Sequence, residues 1–221
     1  MKAAVLSACP TAKLIDVSHG IDPFDVRGGG FVLWAGTRDF PSGSVHLAVV
    51  DPGVGSERRA LALQVGGSYY VGPDNGLFWM VVRGRTDFGA VVLRRPEDAS
   101  PTFEGRDLFA PIAGRLAAGE RIYTLGPSAG PLQPLDDVEA AVVWVDRFGN
   151  LVTNLEPPVA RLRVNGHLIA ATAKTYARAR AGKPFWYVGS LGLVEIGFPK
   201  ARADEKLGAR AGTVVEVLPT S

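Results

Sequence analysis

VHLAVVDPGVGSER, residues Val45 to Arg58, is the stretch from which the rest of the chain is best read. Its first six residues, Val45 to Val50, are almost wholly apolar and rich in valine, the pattern of a short strand buried on both faces of a helix-covered sheet. The run ends at Asp51. Pro52 biases that residue towards an extended backbone, and Gly53 and Gly55 let the chain turn sharply after it. Asp51 is therefore expected at the carboxyl end of a buried strand, the edge at which open α/β sheets bind ligands. Arg58, seven residues on, can fold back over the turn and meet the carboxylate. A tight strand-to-loop turn carrying a surface Asp and Arg satisfies the same pattern.

Outward from this turn, the first half alternates short strands and helices. Towards the amino terminus lie a helix-like stretch Met1 to Ala8, a strand Lys13 to Val17, a loop, and an apolar helix Phe31 to Arg38. Towards the carboxyl terminus, Leu61 to Val65 and Tyr69 to Val71 read as strands paired around Gly66-Gly67. The turn GPDNG (Gly72 to Gly76) follows, then a helix through Val82, a strand Val91 to Leu93, and a helix from Gly105 or Arg106 to a stop at Gly119. The pattern predicts an α/β layer domain over residues 1–130 with a mostly parallel sheet.

Gly126 to Asp137, with three prolines and two glycines, is the clearest boundary. Beyond it, Glu139 to Val145, Ala160 to Val164, His167 to Ala171, Phe185 to Val188, Leu193 to Ile196 and Thr213 to Leu218 read as strands with little helix between them. A smaller all-β, barrel-like domain over residues 138–221 is expected. Two of its loops carry polar groups at apolar strand ends: DRFGNLVTN (Asp146 to Asn154) and VGSLGLVE (Val188 to Glu195). The first reads either as a plain hairpin turn or as a ligand-lining loop.

Composition narrows the function classes. The 24 basic and 22 acidic residues give a net charge of +2, and the basic ones are scattered, which argues against a nucleic-acid partner. The single cysteine, Cys9, permits no internal disulfide and is read as a core thiol in a reducing compartment. No apolar run approaches the ~20 residues of a membrane span. A cytoplasmic protein with no membrane partner is expected. Of the three histidines, His19 is assigned a structural hydrogen bond, His46 a packed position and His167, beside the turn Asn165-Gly166, an exposed one. None has a second ligand at metal-binding spacing, so no metal is expected.

Six blocks in order, IDVSHGIDPFDVR, VHLAVVDPGVGSERR, YVGPDNGL, TFEGRDLFAP, DRFGNLVTN and GSLGLVEI, resemble the S-adenosylmethionine hydroxide adenosyltransferase family, which is related to the S-adenosylmethionine-dependent fluorinase and chlorinase. The resemblance covers nearly the whole chain. It implies an α/β first domain, a β-barrel-like second domain, and a homotrimer whose sites lie between subunits. The implied reaction is attack of an activated water on ribose C5′ of S-adenosylmethionine, giving adenosine and methionine, with no cofactor beyond that substrate. On the same footing, Asp51 and Arg58 belong to the water-activating set. Asp146 pairs with the methionine ammonium, Asn150 bonds the adenine, Phe148 packs near the base or, on its residue type alone, in the core, and Ser190 holds a polar end of the methionine.

The chain departs from the family pattern in two places. The family's third catalytic residue is the histidine of TFHGRD, and here Glu104 stands there. A glutamate still offers a base, but beside Asp51 it adds like-charge repulsion. Family members also carry about twenty residues ahead of the position of Met1, with a first strand whose Asp binds the ribose, so an exposed sheet edge and weaker binding are expected. Two further functions stay open: a halide-using adenosyltransferase, and a binding protein for S-adenosylmethionine or nucleosides with little turnover.

Overall fold

The computed structural model describes residues 1–135 and 140–219. Residues 1–135 form one compact unit and the rest belong to a second.

In the first unit the strands β1 (Val45–Leu47), β2 (Ala60–Val65), β3 (Ser68–Pro73) and β4 (Phe88–Val92) make one sheet in the order β1-β3-β2-β4. Alternation along β2 shows how its two faces are covered. Ala60 and Ala62 join Val71 and Val91 in a core with Val5 of helix α1 (Lys2–Ala8) and with Ile112, Ala113 and Leu116 of helix α4 (Ala110–Ala117). Leu61, Leu63 and Val65 face the other way, onto Leu33 of helix α2 (Val26–Thr37) and Val81 and Val82 of helix α3 (Trp79–Val82). This is an α/β unit with helices on both faces.

The sheet is mixed, which corrects the mostly parallel expectation. Only β1 and β3 run parallel; β2 pairs antiparallel with both β3 and β4. The cause is the two-residue turn Gly66-Gly67, both at positive φ, which folds β2 and β3 into a hairpin and leaves no room for a crossover. Lys13 to Val17, read as a strand, has no regular secondary structure and pairs with no strand of the sheet. Between it and β1 lies a cavity of about 900 Å³, lined among others by Leu14, Ile15, Val17, Val45, Leu47 and Val49. The bonds from Tyr69 N to Ser44 O and from Ala48 N to Val71 O fix the alternation along β1, so the main-chain groups of Val45 and Leu47 face this cavity. The strand is accordingly shorter and less buried than its composition suggested: His46 is buried, Val45 and Leu47 only half so. The opposite edge of the sheet is covered, since Val92 N donates to Pro127 O (2.8 Å) and Ala129 N to Ala90 O (2.9 Å).

The second unit holds two antiparallel sheets. β5 (Val142–Val145), β6 (Leu151–Thr153), β10 (Val194–Gly197) and β9 (Phe185–Val188) form one in the order β5-β6-β10-β9; β11 (Val215–Leu218), β7 (Arg161–Val164) and β8 (His167–Ile169) form the other. Val142, Leu151, Val194 and Ile196 share a core with Leu162, Val164, Ile169 and Val215 of the second sheet. No continuous closed barrel forms among the described residues: two separate sheets share one core and are joined at their edges only by the isolated bridges Ala141–Val214 and Thr172–Trp186. Helix α5 (Ala203–Leu207), ended by Gly208 in the left-handed conformation, caps this core through Ala203 and Leu207 and was not foreseen. The Glu139 end of the expected first strand, the Asp136-Asp137 end of the boundary segment and the last two residues lie outside the described residues. No helix among the described residues is long and apolar enough to cross a membrane.

His46 is wedged between Phe40 (ring centroids 5.3 Å) and Tyr70 (4.8 Å), and its Nε2 has no hydrogen-bond partner. Burial pushes its pKa down to about 4 from the ordinary 6.5. The unfolded chain therefore binds the proton first as pH falls, and this contribution to stability, complete above pH 6.5, is lost towards pH 4. The expected slope is at most ~1.4 kcal/mol per pH unit for one proton. Urea unfolding at pH 7, 5.5 and 4.5 should show a smaller loss for His46→Phe than for the native chain; equal losses would remove His46 as the cause.

Candidate active site

Asp51 lies four residues past the end of β1, the edge strand of the sheet, so the carboxyl-end position expected from sequence is met by a strand that stops at Leu47. The backbone ahead of it is pinned by Asn75 of the GPDNG turn, whose Nδ2 donates to Val50 O at 2.8 Å while its Oδ1 accepts from Leu77 N at 3.3 Å. Behind it the DPGVG loop closes with Ser56 N on Gly53 O (3.0 Å) and Ser56 Oγ on the same carbonyl (2.7 Å). Gly55 sits at φ +80°, and a Cβ there would come within 2.9 Å of Pro101 O, so the loop can rest on the segment leading to Glu104 only with glycine at this point.

Arg58 folds back over this loop onto Asp51. Its Nε donates to Asp51 Oδ1 at 2.9 Å, and its Nη2 bonds both Asp51 Oδ2 and Glu104 Oε2. The guanidinium also lies over the Phe109 ring, 5.3 Å from its centroid. The three side chains are nearly sealed from solvent, at 5% exposure for Asp51, 8% for Arg58 and 2% for Glu104. Glu104 immediately precedes a π-helical turn, Gly105–Phe109, which runs into α4; such turns recur at functional sites because the extra residue re-aims the chain. The far oxygen of Glu104, Oε1, accepts from Arg95 Nε, and Arg95 Nη2 reaches the carbonyls of Arg58 (2.7 Å) and Ser56 (3.2 Å). Four charges thus form a chain, Asp51, Arg58, Glu104, Arg95, that sums to zero. Paired this way the ions offset much of the cost of leaving water.

A second ion pair, between a half-buried arginine and a buried carboxylate, braces the same region. Arg59 Nε donates to Asp74 Oδ2 at 2.7 Å, and its other nitrogens hold the carbonyls of Ala129 and Pro131.

In the second unit DRFGN is the turn between β5 and β6, closed by Asp146 N on Asn150 O at 3.0 Å. Asp146 organises it: Oδ1 accepts from the main-chain nitrogens of Phe148 (2.8 Å) and Asn150 (2.9 Å), and Oδ2 from Asn150 Nδ2 (2.8 Å). Tyr176 donates its hydroxyl to Asn150 Oδ1, so the amide is held from both sides. Tyr187 donates to Glu195 Oε2 at 2.5 Å. Burial raises the pKa of both hydroxyls and of the Glu195 carboxyl. Phe148 points outward, 67% exposed, with Arg147 over its ring; a core role for it is overturned, because the turn carries its side chain away from β5 and β6. Ser190 is exposed in the turn between β9 and β10, and no described contact joins it to Asp146 or Asn150.

The family model for the SAM hydroxide adenosyltransferase N-terminal domain matches residues 1–126, and that for the C-terminal domain residues 140–216. The chain belongs to the SAM hydroxide adenosyltransferase family. It is 37% identical to a Thermus thermophilus protein named (R)-S-adenosyl-L-methionine hydrolase, over 99% of this chain and 92% of that one. A Salinispora arenicola protein of the same name is 40% identical over 94% and 87%. A fluorinase from an Actinoplanes species is 26% identical over 75% and 65%. Among solved structures, an uncharacterized conserved protein from Thermotoga maritima superposes with a TM-score of 0.87 at 29% identity, covering 99% of this chain and 93% of that one.

Within this hydroxide adenosyltransferase, the residues singled out from sequence in the first unit, Asp51, Arg58 and Glu104, do come into contact. In the second unit Asp146 and Asn150 touch, Phe148 shares their turn, and Ser190 stands apart. Arg95, Tyr176 and Tyr187 were missed. For Arg95 one signal existed: Glu104 adds a second carboxylate beside Asp51, and a buried second carboxylate calls for a second cation. His19 is exposed with its Nε2 3.1 Å from Asp16 Oδ1, in line with the structural role expected of it. No cluster of three or more groups able to hold a metal is found among the described residues.

Proposed function

We propose that this chain hydrolyses S-adenosyl-L-methionine to adenosine and L-methionine. The observation that carries the reading is the buried carboxylate of Asp51, gripped through both oxygens by Arg58 at the end of the strand. Water attacks ribose C5′ in line with the C5′–S bond. That bond breaks with its electron pair going to sulfur, methionine leaves neutral, and the water proton passes to Asp51. Sulfonium is a good leaving group, so no general acid, metal or cofactor is needed. What the protein must supply is a positioned nucleophile and a base beside it.

Arg58 commits Nε to Asp51, Nη2 to both Asp51 and Glu104, and Nη1 to the Arg59 carbonyl, so it fixes the base in place. Glu104, held by two guanidiniums, anchors Arg58. From the second unit, Asp146 binds the methionine ammonium, Asn150 the adenine, Phe148 the face of the base and Ser190 a polar end of the methionine. The exposed Phe148 ring and the preset Asn150 amide support these roles. The assembly is a homotrimer with sites between subunits, working in the cytoplasm. A halide nucleophile is disfavoured, since a halide needs no base and the site offers one, Asp51, fixed beside a cation, which is the arrangement that suits water.

Incubation with S-adenosylmethionine in H2 18O, followed by chromatography and mass spectrometry, tests the reading. The expected product is adenosine carrying the label at O5′. A 5′-halogenated nucleoside formed in chloride would transfer the chain to halide chemistry. Tight binding of substrate without adenosine would make it a binding protein.

A further inference from the structure

The charge chain has one member that no catalytic role accounts for. Arg95 is 40% exposed, while the carboxylate it holds is 2% exposed. It is the sole described partner of Glu104 Oε1. Its Nη2 at the same time holds the carbonyls of Ser56 and Arg58, so one guanidinium spans the end of the DPGVGSER loop and the side chain of Glu104.

The contest at Arg58 Nη2 shows why this matters. That nitrogen is shared between Asp51 Oδ2 and Glu104 Oε2. A Glu104 tethered only through Oε2 could swing and draw the guanidinium off Asp51. Arg95 pulls the opposite oxygen the other way and balances its charge. By gripping the Arg58 carbonyl it also fixes the backbone from which the Arg58 side chain starts. A forked, planar donor set is required, because a lysine ammonium supplies the charge but cannot span a carboxylate and two carbonyls in one plane.

We infer that Arg95 is a positioning residue for the hydrolysis: through Glu104 and the Ser56–Arg58 main chain it holds the Arg58 guanidinium square on Asp51, and so sets the base rather than binding substrate. The inference rests on the reading of Asp51 as the base. It also gives the glutamate at the family's histidine position a companion, so that Glu104 and Arg95 act as a linked pair in this chain.

The test compares the native chain with Arg95→Met and Arg95→Lys in steady-state hydrolysis and in the 15N-edited NMR signal of the Arg58 Nε–H, assigned by its loss in Arg58→Lys. Arg95→Met is expected to lower kcat at least tenfold with KM changed less than threefold, and to broaden or shift the Arg58 signal. Arg95→Lys is expected to recover part of both. Unchanged kcat and an unchanged Arg58 signal in Arg95→Met would overturn the inference. So would a KM effect alone, which would make Arg95 a substrate contact. If the native chain forms no adenosine, the hydrolase reading fails by itself; the Arg58 signal then still decides whether Arg95 positions it.

Discussion

Asp51→Asn is expected to abolish most turnover, with kcat down ~10²-fold to 10⁴-fold, the range for losing a general base in contact with the reacting group. The substitution keeps the shape of the side chain and one accepting oxygen for Arg58 Nε. It turns an NH2 towards Arg58 Nη2 where a carboxylate oxygen stood, so two donors face each other. Substrate affinity measured by calorimetry should change little, because the proposed base acts on the water. A variant that keeps its rate would show that Asp51 is only the fastener of the loop. One that loses affinity in step with rate would make it a binding group.

The second large effect falls on stability. Glu104→Gln retains the volume but leaves Arg58 and Arg95 sharing a neutral amide in a site that is 2% exposed. Breaking a buried ion pair from one side costs ~3–5 kcal/mol, since the abandoned charge stays out of water. Arg95 can turn part-way to solvent, which puts the expectation at the lower end, about 3 kcal/mol by urea unfolding at neutral pH. A loss below about 1 kcal/mol would mean that the cluster is wet and its charges are screened. Glu104→His should also fall short of native stability, because a neutral imidazole leaves two cations for the one carboxylate of Asp51.

The elements that could be read from the sequence are those with a local code. Val45 to Arg58 spells strand, stop and turn through valines, Pro52 and Gly55, and a residue brought back by so tight a turn has few places to go but the carboxylate at its start. Gly66-Gly67 spells a hairpin, and the strands read as paired around it are the antiparallel β2–β3 pair. Elements fixed by distant partners were less legible. Lys13 to Val17 has the composition of a strand but no neighbour to bond, and helix α2 starts earlier than expected, capped by Asp25 Oδ1 on Gly28 N (2.8 Å). The run Gly28 to Gly30 hides that helix because glycine is a poor helix former; a Cβ at Gly30 would come within 3.0 Å of Leu77 O, so close packing takes precedence over propensity. Arg95 and Tyr176 carry no local mark, for their partners lie 9 and 26 residues away.

The two sides of the sheet in the first unit have unequal consequences for how molecules meet. With the β4 side occupied by residues 127–129 and the β1 side facing a cavity, the sheet has a valence of one. Sheets with two free borders recruit a neighbour at each and propagate into fibrils, whereas a sheet with a single free border exhausts its capacity at the first encounter. Heat or crowding that loosens the segment around Lys13 to Val17 therefore opens this sheet to one added strand and no more.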